Sequence, residues 1–140
     1  MVIQEALRLY PPVAFLVREA LEDINVKGIE IPKGINIQIP IPFLHQHPKL
    51  WGSDAHRFNP ERFADGILRA CKIPQAYMPF GAGTRTCLGQ HFAMAELKVI
   101  LSAILSQFSL SLSPAYHHSP AFQLVIKPEY EVKLRVRVLH

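Results

Sequence analysis

The pattern of apolar and polar positions predicts two helices, with short strands between and after them. The first ten residues follow a helical pattern that must end at Tyr10-Pro11-Pro12, because proline has no amide hydrogen and restricts the residue before it. Residues 88–108 form the one long predicted helix, which is apolar on nearly all sides after Lys98. So little polar surface is typical of a helix inside a larger structure.

Strand patterns occupy residues 15–39 and the carboxy-terminal end. Residues 24–26 and 29–31 flank Lys27-Gly28, a pair that suits a tight hairpin turn. Residues 35–39 alternate isoleucine with polar side chains, and residues 131–138 alternate charged with apolar ones, which predicts two further strands. Helices and strands are therefore segregated, as in mixed α and β folds.

Two stretches show little periodicity. Residues 40–60 are rich in proline and histidine and are predicted to be irregular. Residues 64–86 are predicted to form a long loop, which is uncommon inside a compact domain and usually functional.

Composition narrows the class of protein. Of the 140 residues, 49% are hydrophobic and 19% charged, which is typical of a globular chain. A net charge of +4, without basic clusters interleaved with aromatic residues, argues against a dedicated nucleic-acid binder. Two cysteines and no signal peptide favour reduced thiols facing the cytosol. The longest apolar stretch, residues 99–105, is too short to cross a bilayer. The first helix begins without a capping residue, which suggests a piece of a longer protein.

The segment Phe80-Gly81-Ala82-Gly83-Thr84-Arg85-Thr86-Cys87-Leu88-Gly89, here called the cysteine loop, carries the candidate chemistry. Its cysteine precedes a helix, whose amides and dipole favour a negatively charged sulfur. Its glycines permit unusual backbone turns, and Gly89 leaves room for a flat cofactor beside the first helical turn. Arg85 supplies a planar donor fork suited to a carboxylate.

Two other interpretations of the cysteine remain open. Cys87 could be an inert buried cysteine on a glycine loop. Cys87 and His91, one helical turn apart, could instead share a metal, although the chain lacks a second close pair to complete a tetrahedral zinc site. The pairs His45/His47 and His117/His118 are predicted to be surface residues.

Charged residues form a second motif. Glu5 and Arg8 lie three positions apart on one helix face, which alone would indicate a weak surface ion pair. Apolar neighbours, and a further arginine in Pro60-Glu61-Arg62-Phe63, favour a buried network instead.

Taken in this order, E-x-x-R, P-E-R-F and F-x-x-G-x-R-x-C-x-G resemble the motifs of the cytochrome P450 family. Phe80, Gly83, Arg85, Cys87 and Gly89 fill every fixed position of the last motif. The resemblance implies a mainly α fold with α+β segregation: the carboxy-terminal part of the cytochrome P450 fold, with an E-x-x-R helix, small sheet, meander, cysteine loop, long helix and terminal β-hairpin. Residues 1–140 would be one partial domain, without the distal oxygen-binding helix or the amino-terminal anchor.

The resemblance also assigns roles to residues. Cys87 would be the axial ligand of the haem iron, and no other catalytic residue is expected here. The remaining haem-binding residues would be Phe80, Gly81, Gly83, Arg85, Gly89 and Arg18. Glu5, Arg8 and Arg62 would form the structural network, and the substrate-pocket candidates are Val13, Ala14, Phe15, Ala121 and Phe122. After His45 the chain departs from the family, with Gln46-His47 where many relatives have Arg-Asp.

The implied activity is that of a haem-thiolate monooxygenase, which inserts one oxygen atom of O₂ into a small hydrophobic substrate. Haem b would be the cofactor, with electrons from NADPH through a cytochrome P450 reductase, and the full-length parent would lie on the cytosolic face of the endoplasmic reticulum membrane. Residues 92–98 and 113–121 resemble a plant branch that oxidises isoprenoid hormones such as gibberellins, brassinosteroids and cytokinins. The isolated segment is expected to be inactive; the alternative is a truncated remnant or an interaction module.

Overall fold

The structure is a computed structural model that describes residues 1–139. Within these residues, four α-helices and eight short strands follow one another along the chain. In order they are α1 (Val2–Leu9), β1 (Phe15–Glu19), β2 (Ile24–Val26), β3 (Ile29–Ile31), β4 (Asn36–Pro40), α2 (Ile41–His45), α3 (Pro48–Trp51), α4 (Gln90–Gln107), β5 (Phe108–Leu112), β6 (Pro120–Gln123), β7 (Val125–Pro128) and β8 (Leu134–Val138).

Helix α1 ends where the two prolines require it to end. The Tyr10 amide donates to the Ala6 carbonyl at 2.8 Å, and this is the last helical hydrogen bond. The next two donors would be the amides of residues 11 and 12, which proline lacks, so the carbonyls of Leu7 and Arg8 need partners from outside the helix.

The strands form four separate antiparallel pairs: β1 with β4, β2 with β3, β5 with β8, and β6 with β7. The predicted hairpin turn at Lys27-Gly28 is confirmed, since φ is 51° and 87° at these residues. Positive φ at both central residues is the backbone of a type I′ turn, which matches the twist of the flanking strands. The terminal hairpin is formed by β6 and β7, while the last strand, β8, pairs back with β5.

The prediction for residues 40–60 was wrong, since this stretch contains helices α2 and α3. Pro42 and Pro48 occupy the first turns of these helices, where a missing amide hydrogen is tolerated. The predicted loop at residues 64–86 is likewise interrupted by 3₁₀ turns at Ile67–Arg69, Pro74–Ala76 and Gly83–Arg85, after an earlier one at Pro60–Phe63. The substrate-pocket candidates Ala121 and Phe122 lie in strand β6.

The buried core lies beneath α1 rather than around the long helix. Trp51, Ala55, Phe63 and Ala70 form it, and Tyr77 packs against them. The total accessible surface is 10,459 Å², whereas a compact monomer of this mass exposes about 7,300 Å². Much of the excess is apolar side chain on α4 and the carboxy-terminal strands. Among residues 1–139, no helix has the length and apolar character needed to span a membrane.

Candidate functional site

The cysteine loop holds Cys87 at the amino-terminal end of α4. The Cys87 amide donates to the Phe80 carbonyl at 2.9 Å, which closes the loop, and the Gly81 amide donates to the Met78 carbonyl at 3.0 Å. Helix α4 begins three residues after Cys87, and its N-cap is Gly89, which has no side chain to cap the amides of the first turn. Cys87 is exposed, so the interpretation as an inert buried cysteine does not describe it.

Two glycines of the loop have backbone conformations that other residues rarely adopt. Gly81 has φ +80° and Gly83 has φ +73°. A Cβ atom on Gly81 would lie 3.6 Å from the Arg85 carbonyl oxygen and 3.7 Å from Cδ2 of Leu16. Gly89 differs, since its backbone is ordinary and an added Cβ would stand 3.9 Å from the Cys87 sulfur. Glycine is therefore required for the turn at 81 and 83, and for open space beside the sulfur at 89.

The remaining predicted cofactor-binding residues surround this loop. Phe80 is half-buried, and Arg85 ends the 3₁₀ turn before Cys87 with its side chain exposed. Among residues 1–139, the Arg18 side chain, in β1, donates to the neighbouring Val17 carbonyl alone, at 2.9 Å. Within residues 1–139, neither arginine forms a salt bridge.

Helix α1 contributes a buried pair whose guanidinium uses all five of its N–H donors. Arg8 Nε and Nη2 bond to the two Glu5 carboxylate oxygens at 2.7 and 2.8 Å. Arg8 Nη1 donates to the carbonyls of His45 and Ala55, and Nη2 also donates to that of Arg57. Both side chains are fully buried, so the pair is stable only because its donors and acceptors are satisfied.

Arg62 also lies near Glu5, but its guanidinium is farther from the carboxylate than that of Arg8. Arg62 Nε lies 3.7 Å from Glu5 Oε1 and, within residues 1–139, has no hydrogen-bond partner, although it is buried. The other nitrogens of Arg62 bond to the Trp51 carbonyl at 2.8 Å and to Asp54 Oδ2 at 2.8 Å. This bond to Arg62 lowers the pKa of the Asp54 carboxyl. Sequence analysis missed Asp54, which has no motif spacing to mark it.

The prediction that His45 is a surface residue was wrong. His45 is fully buried, and its ring stacks on Tyr77 with centroids 5.4 Å apart. Nδ1 lies 3.2 Å from the Arg8 carbonyl oxygen, while Nε2 accepts the Met78 amide at 2.9 Å. Burial, assisted by the Arg8 charge, lowers the pKa of His45 to about 4.

This buried imidazole predicts a pH-dependent stability. Its pKa rises from about 4 in the folded chain to about 6.5 on unfolding, so the unfolded state binds more protons between these values. The contribution of His45 to the free energy of unfolding is therefore fully present above pH 6.5. It decreases as pH falls from 6.5 to 4, by about 3 kcal/mol in total. Urea unfolding of the full-length protein at several pH values would measure it. His45→Gln should remove this part of the pH dependence, whereas exposed His117→Gln should not; equal slopes in both variants would contradict the assignment.

The substrate-pocket candidates lie on two segments that meet: residues 13–15, which lead into β1, and residues 121–122 in β6. Phe15 on β1 and Phe122 on β6 meet edge to face with ring centroids 6.1 Å apart. Val13 is exposed, Ala121 is half-buried and Ala14 is buried. The two segments that carry these residues are joined where the Ile126 amide donates to the Pro12 carbonyl at 2.8 Å.

The other histidines do not assemble a metal site. His47 accepts the Lys49 amide at 3.2 Å, His117 and His118 are exposed, and His91 bonds to Gln90 at 3.4 Å. Within residues 1–139, no three His, Cys, Asp or Glu side chains are grouped so that they could hold a metal ion. Zinc shared by Cys87 and His91 therefore has no further protein ligand in the described chain.

Comparison with known proteins extends the sequence resemblance. The family model described as Cytochrome P450 matches residues 1–136. The chain is 58% identical over 139 residues to Cytochrome P450 714C2 of Oryza sativa subsp. japonica, covering 99% of this chain and 27% of that protein. Identity to Cytochrome P450 714A2 of Arabidopsis thaliana is 52% over 136 residues, covering 97% and 26%. The chain thus spans about a quarter of the length of these curated relatives.

Solved structures of cytochromes P450 have the same fold as this chain over nearly its whole length. Retinoic acid bound cyanobacterial CYP120A1 superimposes with a TM-score of 0.88 and 35% identity, covering 99% of this chain and 32% of that one. The heme domain of cytochrome P450DA gives a TM-score of 0.88 and 38% identity, covering 99% and 30%. With the family model matching nearly the whole chain, and the motifs in order on a matching fold, this chain belongs to the cytochrome P450 family.

Proposed function

We propose that residues 1–140 are the carboxy-terminal, haem-binding part of a haem-thiolate monooxygenase, with Cys87 as the axial ligand of the iron. One observation carries the proposal: an exposed thiol stands directly before α4, in a loop closed by its own backbone hydrogen bonds. A cysteine presented in this way at the positive end of a helix suits a thiolate ligand.

The surroundings of Cys87 fit a large flat cofactor. Leu88 is fully exposed and Phe92 is 74% exposed, so apolar side chains next to the thiol lack cover within the described chain. Gly89 keeps the space beside the sulfur free, because a Cβ would stand there. Burying this apolar surface against a porphyrin face would contribute favourably at about 25 cal/mol per Å².

Two cations could bind the carboxylates of such a cofactor. Arg85 and Arg18 lie on separate elements, the 3₁₀ turn before Cys87 and strand β1, and neither forms a salt bridge within residues 1–139. We propose that each guanidinium contacts a haem propionate, since its fork of donors matches a carboxylate. Phe80 and Gly81 would support the loop from the opposite end.

Within this proposal the protein binds and orients, and the cofactor provides the reaction. Haem held by a thiolate supplies activation of O₂ and insertion of one oxygen atom into a C–H bond. The chain's own residues hold the sulfur in place, bind the propionates and exclude water with apolar side chains. The buried pair of Glu5 and Arg8 is structural, since neither side chain is exposed.

The substrate class follows from exposed apolar residues near the start of β1 and on β6. Val13, Phe15 and Phe122 are 42%, 45% and 60% exposed, and apolar lining with few polar groups suits a small hydrophobic molecule. We propose a plant isoprenoid hormone of the gibberellin, brassinosteroid or cytokinin type. The likeness to plant cytochromes P450 of the 714 group supports the plant origin of this substrate class.

The proposed partners are O₂ and an NADPH-dependent cytochrome P450 reductase, at the cytosolic face of the endoplasmic reticulum membrane. We propose that the full-length parent carries the activity and that the 140 residues alone do not. The accessible surface of 10,459 Å², with exposed apolar side chains along α4, supports this, since such surface needs cover from further protein.

The proposal is tested on the full-length haem-loaded protein. The reduced protein should give a red-shifted, thiolate-type band in the carbon monoxide difference spectrum. Titration with gibberellins, brassinosteroids and cytokinins should perturb the ferric haem spectrum for one class at micromolar concentration, whereas a charged hydrophilic metabolite should not. A thiolate band without a response to any isoprenoid would overturn the substrate class alone, while absence of the band would overturn the haem-thiolate assignment.

A further inference from the structure

The carboxy-terminal end of α1 lacks the amide donors that would normally follow it. Pro11 and Pro12 leave the Leu7 and Arg8 carbonyls without helical partners. Two side chains from the end of α2 reach this position: His45 Nδ1 lies 3.2 Å from the Arg8 carbonyl oxygen, and Gln46 Nε2 donates to the Leu9 carbonyl at 3.0 Å. Residues 45 and 46 therefore cap α1 from another element.

The second nitrogen of His45 binds the approach to the cysteine loop. Nε2 lies 2.9 Å from the Met78 amide nitrogen, two residues before the loop begins. A carbonyl only accepts and an amide N–H only donates, so the partners fix the tautomer: Nδ1 carries the hydrogen and Nε2 is the acceptor. A neutral imidazole thus connects the end of α1 to the start of the cysteine loop.

From Met78 two backbone hydrogen bonds connect to the turn at Gly81 and to the Cys87 backbone. The Met78 carbonyl accepts the Gly81 amide at 3.0 Å, and the Phe80 carbonyl between them accepts the Cys87 amide at 2.9 Å. Movement of Met78 would therefore move the turn at Gly81 and the acceptor that holds the Cys87 backbone.

His45 is itself held on several sides. Its own carbonyl accepts Arg8 Nη1 at 2.7 Å, so residues 8 and 45 each bond through their side chain to the other's backbone. Tyr77 stacks on the ring at 5.4 Å and Trp51 meets it at 6.3 Å. The charged and titratable groups around it are Arg8, its partner Glu5, and Tyr77, whose hydroxyl pKa is raised by burial.

We propose that His45 is a positioning residue for Cys87: through its bonds to the Arg8 carbonyl and the Met78 amide, it fixes the cysteine loop relative to α1. The inference rests on the proposed function, in which Cys87 ligates the haem iron. Its alternative is that His45 only fills and caps the core. The two differ because positioning depends on the acceptor offered to Met78, whereas packing and capping do not.

Three substitutions in the full-length haem-loaded protein separate these roles. In His45→Gln, the longer side-chain amide can reach the position of Nε2 and accept the Met78 hydrogen. In His45→Asn, the shorter side chain reaches only the position of Nδ1. Met78→Pro removes the loop-side donor with His45 intact, and Tyr77 is extended (φ −92°, ψ 98°), outside the α region that proline disfavours in the residue before it. Gln46→Leu is the matched control, since Gln46 caps the same helix and, within residues 1–139, makes no hydrogen bond to the loop.

The readout is the ratio of thiolate-type to blue-shifted carbon monoxide band in the folded, haem-loaded fraction, with urea stability measured in parallel. We expect His45→Asn and Met78→Pro each to lower this ratio about tenfold, because each breaks the hydrogen bond between residues 45 and 78: the first leaves the Met78 amide unpaired, and the second leaves His45 Nε2 unpaired. His45→Gln should retain most of it, and Gln46→Leu all of it. Equal ratios in all four variants, with differences in urea stability only, would overturn the positioning role. A full ratio in Met78→Pro would also overturn it if His45→Asn fails to fold, whereas a band missing from the unsubstituted protein would overturn the proposed function.

Discussion

Replacing Cys87 by alanine in the full-length haem-loaded protein is expected to abolish the thiolate-type, red-shifted carbon monoxide band. The thiol is exposed, precedes α4 by three residues and has its amide bonded to the Phe80 carbonyl, so its side chain is free to bind a metal. Alanine keeps this backbone bond and removes only the ligand atom. The loss should therefore be complete, since within residues 1–139 the other cysteine is elsewhere in the fold.

Cys71→Ala is the matched control and should leave the band intact. Cys71 is half-buried against the Trp51 and Phe63 core, and its thiol donates to the Ile73 carbonyl at 2.9 Å. Burial raises the pKa of this thiol, so it is held as a neutral side chain. If Cys71→Ala removed the band and Cys87→Ala did not, the ligand assignment would be wrong.

Arg8→Ala is expected to give the largest loss of stability in this part of the chain. It leaves the Glu5 carboxylate buried without its bidentate partner and three carbonyls without donors. Removing one member of a buried ion pair costs about 3–5 kcal/mol. Urea unfolding and the yield of soluble haem-loaded protein measure the effect.

The companion variants make this prediction specific. Glu5→Ala should be similar to Arg8→Ala, and the double variant should cost much less than the sum, because the two residues share one network. Arg62→Ala should be milder, since its main ionic partner is Asp54, whose side chain is 40% exposed. Arg57→Ala is the control, because only its backbone carbonyl takes part. Mild and additive losses at Glu5 and Arg8 would instead indicate an ordinary surface pair.

Sequence reasoning reached features that a local pattern encodes. The end of α1 follows from Pro11 and Pro12, and the β2–β3 turn follows from Lys27-Gly28. The position of Cys87 before α4 also follows from its glycine-rich loop and the helical pattern after it.

What sequence reasoning missed depends on contacts between distant segments. His45 lies 37 positions from Arg8 and 33 from Met78, and nothing around it in the sequence distinguishes a buried histidine from an exposed one. A signal did exist: an E-x-x-R helix ended by two prolines needs donors from elsewhere, and residues 45 and 46 supply them. The short helices α2 and α3 were missed because proline in the first turn looks like a helix breaker when its position in the helix is unknown.

The partners of Arg8 are mostly main-chain atoms, and this makes the network tolerant of substitution but intolerant of changes in chain length. The acceptors from residues 45, 55 and 57 are backbone carbonyls, which every amino acid provides. Position 57, which is exposed, can therefore diverge among homologues without covarying with Arg8, whereas position 55 is restricted by its place in the buried core rather than by Arg8. An insertion or deletion of one residue between 45 and 57 would shift one group of acceptors relative to the other, so spacing, rather than residue identity, is the property that selection should preserve in this segment.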